Sequence, residues 1–287
     1  MIKLCVVAAL SIAAACPLHA FVGLTKQSYA PKESPKQPSV RVLLLHDSPK
    51  AVLEVKGRYT VVDPKTDAVL SSGFQGKRRT VEALQDGLKW GEEFPGVYQI
   101  ALIPYSAETS VFVDNIEYKG SVYVYDIGGT LSIVNKVPIE EYLSSVLGLR
   151  YSEDLSQELI AALAIAVRTQ TYYEARHAKT AYWDIDAKKE GYHGYALSRR
   201  FKGIENAIQE TKHMVLHKCE KGERQGDLFP LAWRLQGQHK QAPDRTYTNI
   251  TLEEAEQMAK RGVDAADILK KAFPQAYIRM GNRTDAP

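Results

Sequence analysis

Nine consecutive apolar residues, Leu159 to Val167, run straight into Arg168 and Thr169. A helix with no polar stripe cannot lie on a surface, so this one must be buried on all sides. It needs a shell of other elements around it. At 287 residues the chain has the length for one large domain or two modest ones. Asp154 followed by Gln157 is a capping-box pattern at the start of this helix, which should continue to about Ala175. Arg168 is a charge at the end of a buried run and requires a partner, either a carboxylate or a ligand.

Just upstream the hydrophobic period changes. Before residue 138 the chain reads as short strands: Val40 to Leu45, Ala51 to Val55, Tyr59 to Val62, Ala68 to Leu70, Val97 to Ile103, Ser110 to Val113, Ser121 to Tyr125 and Thr130 to Val134. Turn residues such as Asp-Pro-Lys-Thr-Asp break them. One interruption, Thr80 to Trp90, reads as a short helix or an insertion. From Pro138 the spacing turns helical: Ile139, Tyr142, Leu143, Val146 and Leu147 form one stripe, with Gly148 as its stop. Residues 183–197 are rich in Tyr, His and Gly and read as a loop. Later helices are expected over 203–212, 252–260 and 264–273, and strands over 214–216 and 229–235. The class is α+β, with a β-rich N-terminal half and a mixed helical C-terminal half.

The first residues belong to targeting. Lys3, an apolar or small run from Leu4 to Cys16, and Leu18-His19-Ala20 before Phe21 have the layout of a secretory signal peptide. A lipid anchor at Cys16 is the competing reading. Four segments result: 1–20 signal peptide, 21–39 a linker rich in Pro and Lys, 40–137 a β-rich region, and 138–280 a helical α+β core. The expected location is periplasmic or secreted. Cleavage would leave Cys219 as the one thiol, so no internal disulfide is expected. The formal net charge of +3, without a basic block, argues against a nucleic-acid partner.

Spacing alone yields no reaction. No Gly-rich phosphate loop follows a strand, and no His-Glu-x-x-His occurs. His213, His217 and Cys219 lie close together, but residues at these intervals on a strand do not converge on one ion. No cofactor and no metal are expected. His193 with Tyr192 and Tyr195 offers flat rings that could stack on a sugar or pack on a core.

A family resemblance adds the chemistry. Val137-Pro138-Ile139-Glu140-Glu141-Tyr142-Leu143-Ser144-Ser145-Val146-Leu147 resembles the "lPlEeYl-x-GVv" signature of the stage II sporulation protein D, or amidase-enhancer, family. Without a gap, Glu158, Ala162, Ala164, Ala166, Arg168 and Thr169 fall in step with the family's "EALKAQAVAARTYAL". Asn206 to Leu216 is similar to "NkAVeeTkGqVL", and Asp267 to Pro274 to "eeILkhYYPG".

The resemblance implies a cell-wall role. It implies binding to peptidoglycan glycan strands, with an N-acetylmuramoyl-L-alanine amidase as a further partner, or cleavage of those strands as a lytic transglycosylase. In that cleavage one carboxylic acid protonates the glycosidic oxygen and then serves as base. The glutamate of the family's "EMP" falls on Arg150 here, and Met-Pro on Tyr151-Ser152. A guanidinium cannot give up its proton at neutral pH. It can instead hold the lactyl carboxylate of a muramic acid. Glu153 lies in the same loop and is the candidate displaced acid. The candidate site is therefore Glu153 as the catalytic residue, with Arg150, Tyr151, Arg168, His193 and Tyr195 on the substrate. The expected function is glycan-strand binding in support of remodelling, and the alternative is an active transglycosylase using Glu153.

Overall fold

Alternation of apolar and polar residues makes the first half of the chain a sheet. The computed structural model describes residues 37–151, 155–195, 201–219, 226–234 and 243–281, all within one unit that spans 34–287. Ten strands come first: β1 (Ser39–Ser48), β2 (Lys50–Asp63), β3 (Ala68–Leu84), β4 (Gly87–Trp90), β5 (Glu92–Pro95), β6 (Gln99–Pro104), β7 (Ser110–Val113), β8 (Ile116–Tyr118), β9 (Ser121–Ile127) and β10 (Thr130–Pro138). With β11 (Ile185–Asp186) they form a sheet ordered β11-β1-β10-β9-β6-β2-β3-β4-β5, and β7 and β8 branch from β2. Neighbours are antiparallel except β11, which runs parallel to β1 through Val42 and Leu43. Val122 and Val124 of β9 and Leu131 and Ile133 of β10 are fully buried.

The segment Thr80 to Trp90 is neither helix nor insertion. It is the end of β3 turning into β4, with Val81 paired to Trp90. Val81, Leu84 and Leu88 do have helical spacing, which explains the misreading. Gly87 decides the matter. Its φ is +112°, and a Cβ there would lie 2.2 Å from the Phe94 carbonyl oxygen, so the chain turns sharply instead of coiling.

The helical half packs on this sheet. It contains α1 (Ile139–Arg150), α2 (Gln157–Arg176), α3 (Ala187–Glu190), α4 (Lys202–Glu210), β12 (Met214–Lys218), β13 (Leu231–Arg234), β14 (Thr246–Thr251), α5 (Leu252–Lys260), α6 (Ala265–Ala272) and β15 (Ala276–Met280). β12 pairs with β15, and β13 with β14. As its sequence demands, α2 is wrapped on all sides, packing against α1, α4, α5, α6, β12 and β13. Leu159, Ala162 and Ala164 have no exposed surface. Asp154, the expected cap of α2, lies outside the described residues. The observed N-cap is Ser156, whose N–H and hydroxyl donate to the Glu256 carboxylate of α5 at 3.0 and 2.9 Å. Gly148 does not end α1: it is buried within the helix, which runs on to Arg150. α5 has the full capping box of Thr251 and Glu254, and Asp264 caps α6. Among the described residues no helix is long and apolar enough to cross a membrane.

His213, in the turn from α4 to β12, has φ +65°. The resembled pattern carries glycine at this position. A left-handed conformation costs a side-chain-bearing residue roughly 1–2 kcal/mol, partly offset by the greater freedom of glycine in the unfolded chain. His213→Gly is therefore expected to raise stability by about 0.5–1 kcal/mol. A urea unfolding midpoint that falls in this variant would refute the argument.

Candidate functional site

Two helical stripes and a strand enclose a cavity of about 350 Å³. On α1 the stripe is Tyr142, Val146 and Arg150, four residues apart each time. On α2 it is Leu163, Ala166, Val167, Gln170, Thr171 and Glu174. The stripes are apolar toward the start of α2 and polar toward its end. Leu231, Ala232 and Trp233 of β13 form a third wall, and Ile185, Glu190 and Arg245 complete the lining with Tyr151.

Gln170 joins two of these walls. Its Oε1 accepts the Leu231 N–H at 2.7 Å, and its Nε2 donates to Glu174 Oε1 at 2.6 Å. Arg245, in the turn before β14, donates to Glu190 Oε1 at 2.9 Å and lies 3.5 Å from Glu174 Oε1. Burial works against the charge of Arg245. The hydrogen bond and charge of Glu190, with Glu174 behind it, outweigh burial and raise its pKa above the ordinary arginine value. Arg150 Nη2 donates to the Glu190 backbone carbonyl and stands 3.5 Å from its Oε2. Glu190 reaches the cavity because β11 is anchored on β1: the Asp184 carboxylate accepts the Arg41 N–H at 2.7 Å and its guanidinium at 3.1 Å. The 183–197 segment is therefore not a plain loop but carries β11 and α3.

The residues singled out from the sequence are split by the fold. Arg150 and Tyr151 line the cavity, and burial raises the Tyr151 pKa while Arg150 opposes it. Glu153 lies outside the described residues. Arg168 is away from the cavity lining, fully buried, with its guanidinium donating to the Glu140 carboxylate and to backbone carbonyls of Ile208, Thr211 and Met214. His193 is exposed. Tyr195 donates its N–H to the Glu117 carbonyl at 2.7 Å and has the Lys119 ammonium 5.0 Å from its ring. These two residues sit beside β8, apart from the cavity lining. Between them and the cavity stands buried Tyr192, which donates to Asn135 Oδ1 at 2.7 Å and packs its ring 5.3 Å from that of Tyr142.

Sequence reasoning missed Gln170, Glu174, Glu190, Trp233 and Arg245. Gln170 and Glu174 extend the α2 stripe at helical spacing and were within its reach. Glu190 and Arg245 come from distant turns and leave no local signal. Of the possible metal ligands, His217 is buried with Nδ1 2.9 Å from the Gly226 carbonyl, whereas Cys219 is exposed. Among the described residues no group of three or more His, Cys, Asp or Glu side chains is placed to hold an ion.

The family model of SpoIID, the stage II sporulation protein, matches residues 128–217, from β10 to β12. An uncharacterized protein of Chlamydia pneumoniae is 34% identical over 192 residues, which is 66% of this chain and 70% of that protein. An uncharacterized protein of Chlamydia muridarum is 32% identical over 244 residues, 84% of this chain and 77% of that one. The chain belongs to the SpoIID family. A more distant uncharacterized protein of Brachyspira hyodysenteriae is 26% identical over 61% of this chain and 47% of its own length. SpoIID membership suggests a cell-wall-related role. The matched span contributes both helical stripes and Glu190 to the cavity, while β13 and Arg245 come from beyond it.

Proposed function

We propose that this SpoIID-family protein acts in the cell envelope, outside the cytoplasmic membrane, where it grips peptidoglycan glycan strands and supports their remodelling without cutting them. One observation carries the reading. At the position where the resemblance puts the proton donor, Arg150 lines the cavity with its side chain 37% exposed. A permanent cation cannot act as general acid, but its planar fork matches a carboxylate. In a glycan strand that carboxylate is the lactyl group of muramic acid, which is free only after the stem peptide has been removed. A strand already processed by an amidase is then the preferred ligand, and this links the protein to such an enzyme. The cavity has the size of a small-ligand pocket, and its apolar walls with a few polar groups fit one sugar ring.

The test is co-sedimentation with amidase-stripped glycan strands, followed by mass spectrometry of the strands. The wild type should sediment and leave them intact, and Arg150→Ala should weaken binding about tenfold or more, the worth of a charge-assisted hydrogen bond. Peptide-free disaccharides ending in 1,6-anhydro-muramic acid that disappear in Glu153→Gln would overturn the reading in favour of a transglycosylase with a displaced acid.

A further inference from the structure

The four charges of the cavity form a chain of alternating sign: Arg150, Glu190, Arg245, Glu174. Its two inner members satisfy each other across 2.9 Å. Its two ends are open. Among the described residues Arg150 is bonded only through Nη2, which leaves Nε and Nη1. Glu174 meets Gln170 and Arg245 through Oε1, which leaves Oε2. Both end side chains are about one-third exposed, 37% for Arg150 and 34% for Glu174.

The charge balance is informative. Without a ligand the lining is neutral. A ligand bringing only a carboxylate would give three negative groups against two guanidinium groups in a partly enclosed site, where uncompensated charge is expensive. A ligand bringing a carboxylate and an ammonium together keeps the balance. It also meets the open fork of Arg150 and the open oxygen of Glu174 with charge-assisted bonds. The muramic acid ring carries its lactyl ether and its nitrogen on neighbouring carbons. That nitrogen is an ammonium only when its acetyl group has been removed.

We propose that the cavity prefers an N-deacetylated muramic acid, with the lactyl carboxylate on Arg150 and the free ammonium on Glu174. This inference rests on the glycan reading and sharpens it, because it assigns Glu174 as a specificity-determining residue. It also places the protein after two reactions, removal of the stem peptide and removal of the N-acetyl group.

The experiment compares two preparations of amidase-stripped strands, one fully N-acetylated and one chemically N-deacetylated, in co-sedimentation with the wild type, Glu174→Gln and Glu93→Gln. The wild type should bind the deacetylated strands about tenfold more tightly. Glu174→Gln should lose that preference and bind acetylated strands more tightly than the wild type, because one fewer negative group then faces the lactyl carboxylate. Glu93→Gln, which removes an exposed acid on β5, should retain the preference, so that a general attraction of cationic strands to acidic residues is separated from the site. Equal binding of both preparations by the wild type would overturn the inference and leave the glycan reading standing. Binding of neither would overturn both.

Discussion

Arg168→Met should remove about 3–5 kcal/mol of stability, the usual cost of breaking a buried ion pair from one side. That is a large share of the 5–15 kcal/mol typical of a folded domain. The side chain is fully buried and serves three segments at once. Its Nε and Nη2 donate to the Glu140 carboxylate at 3.2 and 2.7 Å, in the first turn of α1. Nη2 also reaches the Ile208 carbonyl at 3.3 Å, and Nη1 those of Thr211 at 2.9 Å and Met214 at 3.2 Å. A cation there answers carbonyls at the end of α4 that have no helical partner. Adding Glu140→Gln to the variant should recover only part of the loss, since the backbone carbonyls still lose the guanidinium, and the Thr211 carbonyl keeps only its bond from the Met214 N–H at 2.9 Å. The unfolding midpoint in urea measures this. A loss under about 1 kcal/mol would mean that solvent reaches the pocket and the buried-pair argument fails. Strand binding by the folded fraction should be unchanged, because Arg168 does not line the cavity.

The second large effect is alkaline unfolding. Burial pushes Tyr118 and Tyr125 up to about 12, raises Tyr142 further, with Glu190 adding to the effect, and raises Tyr192 well above its ordinary value, with Tyr118 adding to the effect. In each case the folded value lies above the unfolded one near 10. The fold thus favours the neutral phenol. Its contribution is fully present below about pH 10 and is lost as pH climbs toward the folded values. Each such tyrosine subtracts about 1.4 kcal/mol per pH unit in that range, so Tyr142 and Tyr192 alone subtract about 3. The protein should unfold cooperatively between about pH 10 and 12. Tyrosinate absorbance should rise in step with loss of circular dichroism. Tyr142→Phe should make the alkaline arm shallower. Stability that stays level up to about pH 12 would contradict this account.

Legibility from the sequence depended on how local each cause was. The unbroken apolar run of α2 forces a buried helix, and the helix expected over 264–273 is found as α6. Arg150 and Tyr151 were reachable because an ungapped match aligned them with a motif. Val81, Leu84 and Leu88 misled because a strand ending in a hairpin happened to mimic a helical period. β11 was invisible: two residues of strand are held by Arg41 and Asp184, 143 positions apart. Glu190 inherits that invisibility, as does Arg245, since each meets its partner only after the chain has closed on itself.

The parallel pairing of β11 with β1 has a consequence for where the family's recognisable portion ends. Residues 128–217 contain the two cavity-lining helices and the two-residue strand, yet Val42 and Leu43, which hold that strand, come far earlier, and the third wall of the cavity comes later. A fragment cut to the conserved-looking span would keep the family's signature while losing the clasp that positions Glu190 and the wall that faces it. The shortest piece that can be recognised is thus smaller than the shortest piece that can work.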